Sequence, residues 1–394
     1  MDQNLNIAIV TIAYNRPDSL LRLLNSLKKV DFEGHNVPLY ISIDYSGDDS
    51  VYKLARSFSW EFGEKKVIQH TSNLGLKKHV LTCGDLVNDY DALIVLEDDL
   101  IVSKAMYSYT YRAVEKYKDD DNIAAISLFT KGWSETAFKP FVAAPSCFDT
   151  YFIQTAESLG QVWIKDKWIK FKQWYESHSA SFGRSERIPL NVRQWDEKSW
   201  KKYHIWYCID ENKFTVYPYI ALTTCSGDEG EHVINSEVYN NIGLIQVPLQ
   251  KDINIDYRFA DFNDNKSVKY DAFLERFISE SDTCMDLYGQ KTDYTPYSFV
   301  ITPKILNYKI IETYGLLMRP HEENIYRCEK GRYFYKYDLS INQKNKVEIH
   351  SEMAMRYYNY IDYEGVTNQM MVSDIVKQLL RVLKRRIKKL FRRK

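Results

Sequence analysis

Short apolar runs alternate with helical patterns from residue 5 to about residue 130, and this alternation restricts the possible folds more than any other feature of the sequence. The runs predict five buried strands, at residues 6–13, 39–43, 67–69, 92–96 and 123–128. The stretches between them predict four helices, at residues 20–27, 50–62, 76–88 and 103–118. Continuous apolar strands joined through helices form a parallel sheet with helices on both faces, and such sheets bind ligands at the carboxyl ends of their strands.

The composition is that of a globular protein with a substantial core. The 394 residues are 45% hydrophobic and 27% charged, which excludes a wholly disordered, collagenous or coiled-coil chain. The length suits one large α/β domain of about 250 residues with extensions, or two domains.

The formal net charge is zero, but residues 372–394 contain ten Lys or Arg and one Asp, which leaves 43 basic and 52 acidic residues in the rest. This imbalance argues against nucleic-acid binding spread over the fold and favours an anionic partner at one end of the chain.

The six cysteines form neither a CxxC pair nor a set with metal-ligand spacing. In a chain of this length we expect reduced thiols in the core, and not a disulfide framework or a zinc site. The first residues have neither the basic nor the apolar segment of a signal peptide, and no apolar stretch reaches the roughly 18 to 20 residues that span a bilayer. We therefore expect a protein that stays in the reducing cytoplasm.

Three consecutive carboxylates, Glu97, Asp98 and Asp99, follow the fourth apolar run. At the end of a buried strand they repel one another and lose hydration unless a cation neutralises them. Oxygen ligands of this kind suit Mg²⁺ or Mn²⁺, with the phosphates of a substrate completing the coordination. Two other interpretations are an acidic turn that caps the next helix and the Walker B element of a nucleoside triphosphatase. The Walker B element needs a phosphate loop with Gly-Lys, and the chain contains no Gly-Lys dipeptide.

Polar residues also follow the first three predicted strands. Arg16 lies after the first strand, just before Pro17, where its guanidinium can meet a phosphate or a base. Asp44 ends the second strand, and Asn73 and Lys78 lie in the turn and helix start after the third. Each of these residues alone is typical of a turn or a helix cap. Because parallel strands end at one edge of the sheet, these residues and the three carboxylates together predict a nucleotide pocket.

These segments resemble the GT-A glycosyltransferases. The resemblance rests on residues 9–27 (IVTIAYNRPDSLLRLLNSL), 41–44, 73–75 and 93–102 (LIVLEDDLIV), and more weakly on residues 157–168 and 195–233. The sequence is most similar to inverting bacterial family-two enzymes and to the N-acetylglucosaminyltransferase I family, whose acidic motif is also Glu-Asp-Asp-Leu. The resemblance implies a Rossmann-like GT-A fold. It also implies transfer of a hexosyl or N-acetylhexosaminyl group from a nucleotide-sugar, with UDP-sugars favoured and Mn²⁺ or Mg²⁺ as cofactor.

The resemblance also implies roles for individual residues. It implies nucleotide-sugar contacts at Arg16, Asp44, Asn73, Lys78, Glu97 and Asp98. It implies metal ligands at Asp99, Asp98 and His232, with Asp99 as the direct ligand; a loop histidine is otherwise structural or solvated. The general base is implied in the sequence Trp195-Asp196-Glu197, where either carboxylate fits the role and Asp196 is favoured.

The remaining sequence is divided into two further parts. Residues 1–288 are expected to form the GT-A domain, with residues 270–287 helical, and residues 289–371 a Tyr-rich extension with strands at 298–301 and 333–337. In residues 372–394 apolar residues recur every four positions and Lys or Arg fill the other face, which predicts a basic amphipathic helix. Such a helix suits an anionic membrane surface. The alternatives are a helix packed on the acidic body of the protein and an RNA-binding arm.

The expected protein is an inverting, metal-dependent glycosyltransferase peripheral to the inner face of the cell membrane. There it would extend a lipid-linked glycan of a bacterial surface polysaccharide. One alternative is a nucleotidyltransferase, which would usually have a Gly-rich basic loop after the first strand, where this chain has Tyr14-Asn15-Arg16-Pro17. The other is a catalytically degenerate GT-A domain that serves as a sugar-binding or scaffold subunit.

Overall fold

The computed structural model describes residues 4–137, 139–183, 185–226, 228, 256–277, 282–345 and 380. The described residues up to Asn345 belong to one compact unit. Two features predicted from the sequence, His232 and the helix at residues 372–394, lie outside the described residues except for Leu380.

The strands and helices predicted for the first 130 residues are all present. In chain order the elements are β1 (Ile7–Ala13), α1 (Pro17–Leu27), β2 (Leu39–Ile43), α2 (Ser50–Ser57), β3 (Lys65–Gln69), α3 (Leu76–Gly84), β4 (Ala92–Glu97), β5 (Leu100–Val102), α4 (Met106–Tyr117) and β6 (Ile123–Ser127). Three helices, α2, α3 and α4, are shorter than predicted. α2 ends at Ser57 because Phe58 takes an extended conformation, and a 3₁₀ helix, Asp85–Asp89, follows α3.

α1 illustrates how the sequence determines an element beside the site. Pro17 occupies the first turn, where its missing N–H leaves no hydrogen bond unmade. The leucines at the helical spacing are fully buried: Leu20, Leu23, Leu24 and Leu27. Ser26 Oγ accepts a hydrogen bond of 3.1 Å from the backbone N–H of Val102, which attaches α1 to β5. The last turn of α1 is thereby held against the end of β5.

The rest of the described chain adds strands to the same sheet, builds a second sheet of four strands and contributes to two sheets of two strands. Its elements are β7 (Trp133–Ser134), β8 (Lys139–Pro140), β9 (Thr150–Ile153), β10 (Gln161–Ile164), α5 (Lys165–His178), α6 (Leu190–Gln194), α7 (Trp200–Asp210), β11 (Phe214–Pro218), β12 (Thr223–Cys225), β13 (Lys269–Tyr270), β14 (Thr283–Met285), β15 (Phe299–Thr302), β16 (Tyr308–Tyr314), α8 (Glu322–Tyr326) and β17 (Phe334–Asn342). The two-stranded sheets are β12-β5 and β7-β8. The predicted strands at 298–301 and 333–337 correspond to β15 and β17.

The large sheet has the strand order β13-β9-β11-β6-β10-β4-β1-β2-β3. Strands β4, β1, β2 and β3 are parallel neighbours, as are β6 with β11 and β9 with β13. β10 is antiparallel to both β4 and β6, and β9 is antiparallel to β11. The predicted α/β fold with a mostly parallel, Rossmann-like sheet is confirmed.

Both faces of this sheet are covered, as continuous apolar strands require. Alternate residues of β4 belong to different hydrophobic clusters: Ile94 and Leu96 pack with α1 and α4, whereas Leu93 and Val95 pack with α3, α5 and α7. On the second face the rings of Trp163 and Trp168 stack with centroids 4.1 Å apart. Most tryptophans of the Trp-rich segment therefore serve the core.

The helix predicted for residues 270–287 is wrong. After Tyr270 the chain turns, with Asp271 Oδ1 accepting hydrogen bonds from the backbone N–H groups of Phe273 and Glu275, both at 2.9 Å. β14 then pairs with β15 in a four-stranded sheet of order β14-β15-β17-β16. The apolar side chains at helical spacing are buried by this turn and strand. The domain boundaries at residues 288 and 371 stay predictions, although the second sheet already begins at Thr283.

Two observations bear on the expected environment of the protein. Within the described part of the chain, no helix is long and apolar enough to cross a membrane. All six cysteines are free. Cys83, Cys208, Cys225 and Cys284 are buried, whereas Cys147 and Cys328 are exposed, so the expectation of core thiols holds for four of the six.

Candidate active site

The acid cluster (Glu97, Asp98 and Asp99) lies at the carboxyl end of β4, a strand in the interior of the large sheet. Ile12 of β1 pairs with Glu97, so the turns that follow the two strands meet at the same edge. β5 begins directly after the cluster and pairs with β12. The acid cluster thus lies between two hydrogen-bonded strands, with β4 before it in the sequence and β5 after it. The pairing of these strands with their neighbours determines where the cluster lies.

Arg16 contacts two members of the acid cluster. Its Nη1 donates a hydrogen bond of 3.1 Å to Asp99 Oδ2, and its Nη2 donates to Asp98 Oδ1. The Arg16 side chain is 26% exposed and the Asp98 side chain 4% exposed, so these ion pairs are largely removed from water. The second oxygen of Asp98, Oδ2, is buried without a hydrogen-bond partner. Leaving a buried acceptor unpaired costs about 1–3 kcal/mol, and a cation bound there would remove this cost.

Burial shifts two carboxyl groups of the acid cluster toward their protonated forms. It raises the pKa of Glu97 to about 8, and the negative charges of Asp99 and Asp98 add to this effect. It raises the pKa of Asp98 to about 6, against the opposing attraction of Arg16. Carboxyl groups whose pKa is raised by burial and by like charges mark candidate functional sites.

Asp44 organises the loops that follow β2 and β3. Its Oδ1 accepts hydrogen bonds from the backbone N–H groups of Tyr45, at 2.9 Å, and Leu74, at 2.8 Å. Its Oδ2 accepts from the N–H of Gly75 at 3.0 Å, where a φ of 74° favours glycine. Asn73 Nδ2 donates to the carbonyl of Tyr45 at 3.0 Å. The structure therefore brings Asp44 and Asn73 together, with Asp44 holding both loops at the sheet edge.

The segment after β12 is attached to α1 and to the acid cluster, which the sequence analysis did not predict. Asp228 accepts a hydrogen bond of 2.6 Å from Ser19 Oγ, and it accepts bonds of 3.1 and 2.6 Å from the two terminal nitrogens of Arg22. The N–H of Ser226 donates to the carbonyl of Asp99 at 2.8 Å. The only signal in the sequence was the acidic composition of this segment. From the sequence, His232 and not Asp228 is the site residue expected in this segment.

Two lysines and two glutamates form an ion network close to Glu97. Lys131 pairs with Glu157 at 2.9 Å and with Glu135 at 3.6 Å, and Lys201 pairs with Glu135 at 3.7 Å. The positive charge of Lys201 also opposes the rise in the pKa of Glu97. No spacing pattern predicts this network, because its members come from the β6–β7, β7–β8 and β9–β10 loops and from α7.

The two candidates for the general base differ in their surroundings. Both lie in the exposed stretch between α6 and α7. The carboxylate of Glu197 accepts hydrogen bonds from Lys202 Nζ at 2.9 Å and from Tyr203 Oη at 2.5 Å, and these bonds lower its pKa. Asp196 accepts a hydrogen bond of 2.8 Å from the backbone N–H of Lys198. The side chain of Glu197 is thus engaged in structural contacts that Asp196 does not share.

The other two predicted site residues are not part of this arrangement as described. Lys78 is exposed on α3. Its neighbour Lys77 is the lysine that faces α7, with Nζ 4.8 Å from the ring centre of Tyr203. His232 lies outside the described residues, so its role as a metal ligand stays a prediction.

The donor atoms at the acid cluster fit a divalent cation that protein and ligand hold jointly. Asp98 offers a buried oxygen without a hydrogen-bond partner, and Asp99 lies next to it. No group of three or more His, Cys, Asp or Glu side chains placed to hold a metal ion occurs among the described residues. Mg²⁺ and comparable ions at phosphate-binding sites use one or two carboxylates and take their other ligands from phosphates and water. The residues present therefore fit Mg²⁺ or Mn²⁺ together with a phosphorylated ligand.

Residues 8–164 match the family model of glycosyl transferase family 2. This segment contains β1 to β10 and therefore includes Arg16, Asp44, Asn73 and the acid cluster.

Several solved structures are similar to the chain at low identity. S. aureus TarS 1–349 in complex with UDP-GlcNAc is 14% identical, over 60% of this chain and 62% of that chain, with a TM-score of 0.37. GalNAc-T7 with UDP, GalNAc and Mn²⁺ is 16% identical, over 55% of this chain and 43% of that chain, with a TM-score of 0.40. The chain thus spans less than two thirds of either protein, and TM-scores below 0.5 are too low to assign an activity. The family model is the informative match: residues 8–164, less than half of the chain, are similar to glycosyl transferase family 2.

Proposed function

We propose that the chain is an inverting glycosyltransferase. It would transfer a hexosyl or N-acetylhexosaminyl group from a nucleotide-sugar, with UDP-sugars favoured, to a hydroxyl of a glycan acceptor. The observation that carries this proposal is the joint position of Arg16, Asp98 and Asp99 at one sheet edge inside the segment similar to family 2. A guanidinium and two carboxylates at the carboxyl ends of central parallel strands suit a sugar-linked diphosphate and its cation.

In this proposal Asp99 and Asp98 hold Mn²⁺ or Mg²⁺, and Arg16 contacts the diphosphate. When bound, the cation acts as a Lewis acid that neutralises charge on the phosphate oxygens. Arg16 stabilises the same developing charge through its guanidinium. Glu97 contacts the ribose or the donor sugar. A carboxyl group at this position can form hydrogen bonds with the hydroxyl groups of that sugar.

Asp196 is the proposed general base. It would take the proton from the acceptor hydroxyl as that oxygen attacks the anomeric carbon, and a single displacement of this kind inverts the configuration. Glu197 is less suited to the role, because hydrogen bonds from Tyr203 and Lys202 stabilise its charged form and so weaken it as a base. The exposed position of Asp196 is compatible with access for a large acceptor.

We also propose that the acceptor is a lipid-linked glycan in the synthesis of a bacterial surface polysaccharide. The support is the basic amphipathic pattern of residues 372–394, which suits the anionic inner face of a cell membrane. An enzyme held at that face searches for a lipid-linked acceptor over a surface instead of a volume. The setting is inferred from this pattern and from the family resemblance.

A panel of nucleotide-sugars tests the proposal. The melting temperature is measured with UDP-, GDP- and dTDP-sugars, each with and without Mn²⁺. We expect one donor to raise it in the presence of Mn²⁺ only, and we expect Asp99→Ala to abolish this rise. Asp119→Ala, an exposed carboxylate beyond α4, is the matched control and should respond like the wild type. No response to any donor would contradict the proposal and favour a sugar-binding or scaffold subunit.

A further inference from the structure

Arg16 holds the same two carboxylates that are proposed to hold the cation. Its two terminal nitrogens are divided between them, with Nη1 on Asp99 and Nη2 on Asp98. One positive charge thus bridges two negative ones. Asp98 Oδ2, on the same carboxylate, is buried and has no hydrogen-bond partner. The pair of carboxylates is therefore neither fully neutralised nor fully hydrogen-bonded by the protein alone.

We infer that Arg16 is an internal counter-ion that competes with the divalent cation for Asp98 and Asp99 and releases them when a diphosphate binds. This inference rests on the proposed function and specifies how its cation site operates. The cation and the nucleotide would then bind as a pair, and the cation alone would bind weakly. Arg16 would serve as a positioning residue for the cation as well as a contact for the diphosphate.

Electrostatics explains why the guanidinium and the cation exclude one another. Asp98 Oδ1 and Asp99 Oδ2 already accept hydrogen bonds from Arg16, and Asp98 Oδ2 belongs to the same carboxylate as Oδ1. A cation at any of these oxygens would therefore lie close to a guanidinium of the same sign. Like charges at such distances repel strongly where water is largely excluded. The Asp98 side chain is only 4% exposed, which limits screening by solvent. The cation can therefore bind well only after the guanidinium has moved.

A diphosphate offers the guanidinium an alternative partner. Phosphate oxygens accept paired hydrogen bonds from the planar fork of arginine, as carboxylates do. Arg16 is the N-cap residue of α1, whose first turn begins at Pro17, so its side chain can change partner while the backbone stays in place. At 26% exposure the guanidinium is within reach of a ligand at the sheet edge. When the Arg16 guanidinium leaves Asp98 and Asp99 and binds phosphate, both carboxylates are free for the cation.

Binding of Mn²⁺ in the absence of nucleotide tests this inference. We would titrate the full chain with Mn²⁺ and follow the free ion by electron paramagnetic resonance. Arg16→Met removes the competing charge and should bind Mn²⁺ about tenfold more tightly than the wild type, as expected for the loss of charge-assisted hydrogen bonds. Arg16→Gln retains an amide donor for the buried carboxylate, and it should also bind Mn²⁺ more tightly than the wild type. This second variant keeps the test valid if Arg16→Met does not fold.

Arg22→Met is the matched control, because Arg22 pairs with Asp228 and lies further along α1. It removes the same charge nearby without freeing Asp98 or Asp99, and its affinity for Mn²⁺ should equal that of the wild type. The inference is overturned if the Arg16 variants bind Mn²⁺ no better than the wild type, if Arg22→Met gains as much, or if no variant binds it. These titrations contain no nucleotide, so their failure is separate from a failure of the donor panel.

Discussion

At the scale of single residues, the site consists of charged groups held largely out of water at the end of a buried strand. Arg16 and Asp98 are 82 positions apart in the sequence but are directly hydrogen-bonded. Asp44 performs a comparable task for the loops by accepting three backbone hydrogen bonds. Buried charges need partners of this kind, because an unpaired charge in the interior is strongly destabilising.

The two candidate bases can be distinguished by substitution. Asp196→Asn should lower kcat about 100-fold or more and leave the affinity for the donor unchanged, because it removes only the proton acceptor. Glu197→Gln should leave kcat within about threefold of the wild type, since Glu197 is engaged by Lys202 and Tyr203. Release of nucleoside diphosphate from the donor, with donor affinity measured separately, provides both quantities. The opposite ranking would assign the base to Glu197.

The sequence was sufficient to predict that Arg16, Asp44, Asn73 and the acid cluster follow the carboxyl ends of neighbouring strands in one parallel part of the sheet. It was not sufficient to predict that Arg16 pairs with Asp98 and Asp99, since a guanidinium after a strand has several possible partners. Asp228 was missed because its contact with Ser19 spans 209 positions and depends on the pairing of β12 with β5. Such pairing leaves no periodic pattern in the sequence.

At the scale of elements, α7 connects the site to the core. Lys201 contributes to the ion network close to Glu97. Lys202 and Tyr203 hold Glu197. His204 lies in the core, with its ring centre 4.8 Å from that of Phe171. Successive residues of one helix thus serve the acid cluster, the candidate base and the packing of the sheet. At residues 270–287 helical spacing predicts a helix that the structure does not contain, because Phe273 and Leu274 are buried by a turn.

His204 makes the stability of this region depend on pH. Burial lowers the pKa of His204 to about 3, so the folded protein keeps the ring neutral, whereas in the unfolded chain it titrates near about 6.5. The contribution of the neutral His204 ring to the free energy of unfolding is fully present above about pH 6.5, and it is lost as the pH falls toward 3. His204→Phe should therefore reduce the decline in the free energy of unfolding below pH 6.5 by up to about 1.4 kcal/mol per pH unit.

Urea unfolding at several pH values measures this effect. His178→Phe is the control, because His178 is partly exposed and stacks on Trp174 at the end of α5, with ring centres 4.4 Å apart. If the free energy of unfolding of His204→Phe fell with pH as steeply as that of the wild type, His204 would have to bind its proton equally well in the folded and unfolded protein.

At the scale of the whole molecule, charge is unevenly distributed, and the proposed function assigns a separate task to each part of the chain. The described residues up to Asn345 belong to one compact unit that contains the site. The excess positive charge belongs to residues 372–394, which carry ten of the 53 basic residues. A glycosyltransferase of this plan would bind its donor in the α/β domain and reach the membrane through its carboxyl-terminal segment.

Deletion of residues 372–394 should separate these tasks. The shortened chain should keep the melting response to the donor and lose flotation with liposomes that contain anionic lipid, because about 1 kcal/mol of attraction per basic residue near the surface is removed. Liposomes of neutral lipid serve as the control and should float neither form. Equal flotation of both forms with anionic liposomes would contradict the proposed role of this segment in membrane binding.

The central claim is that the acid cluster holds a divalent cation against the diphosphate of a nucleotide-sugar. Isothermal titration calorimetry of the nucleoside diphosphate of the donor, with Mn²⁺ and with EDTA in its place, tests it most directly. We predict that the wild type binds the diphosphate at least about tenfold more tightly with Mn²⁺, and that Asp99→Ala shows no difference between the two conditions. Equal affinity of the wild type with Mn²⁺ and with EDTA would contradict the claim.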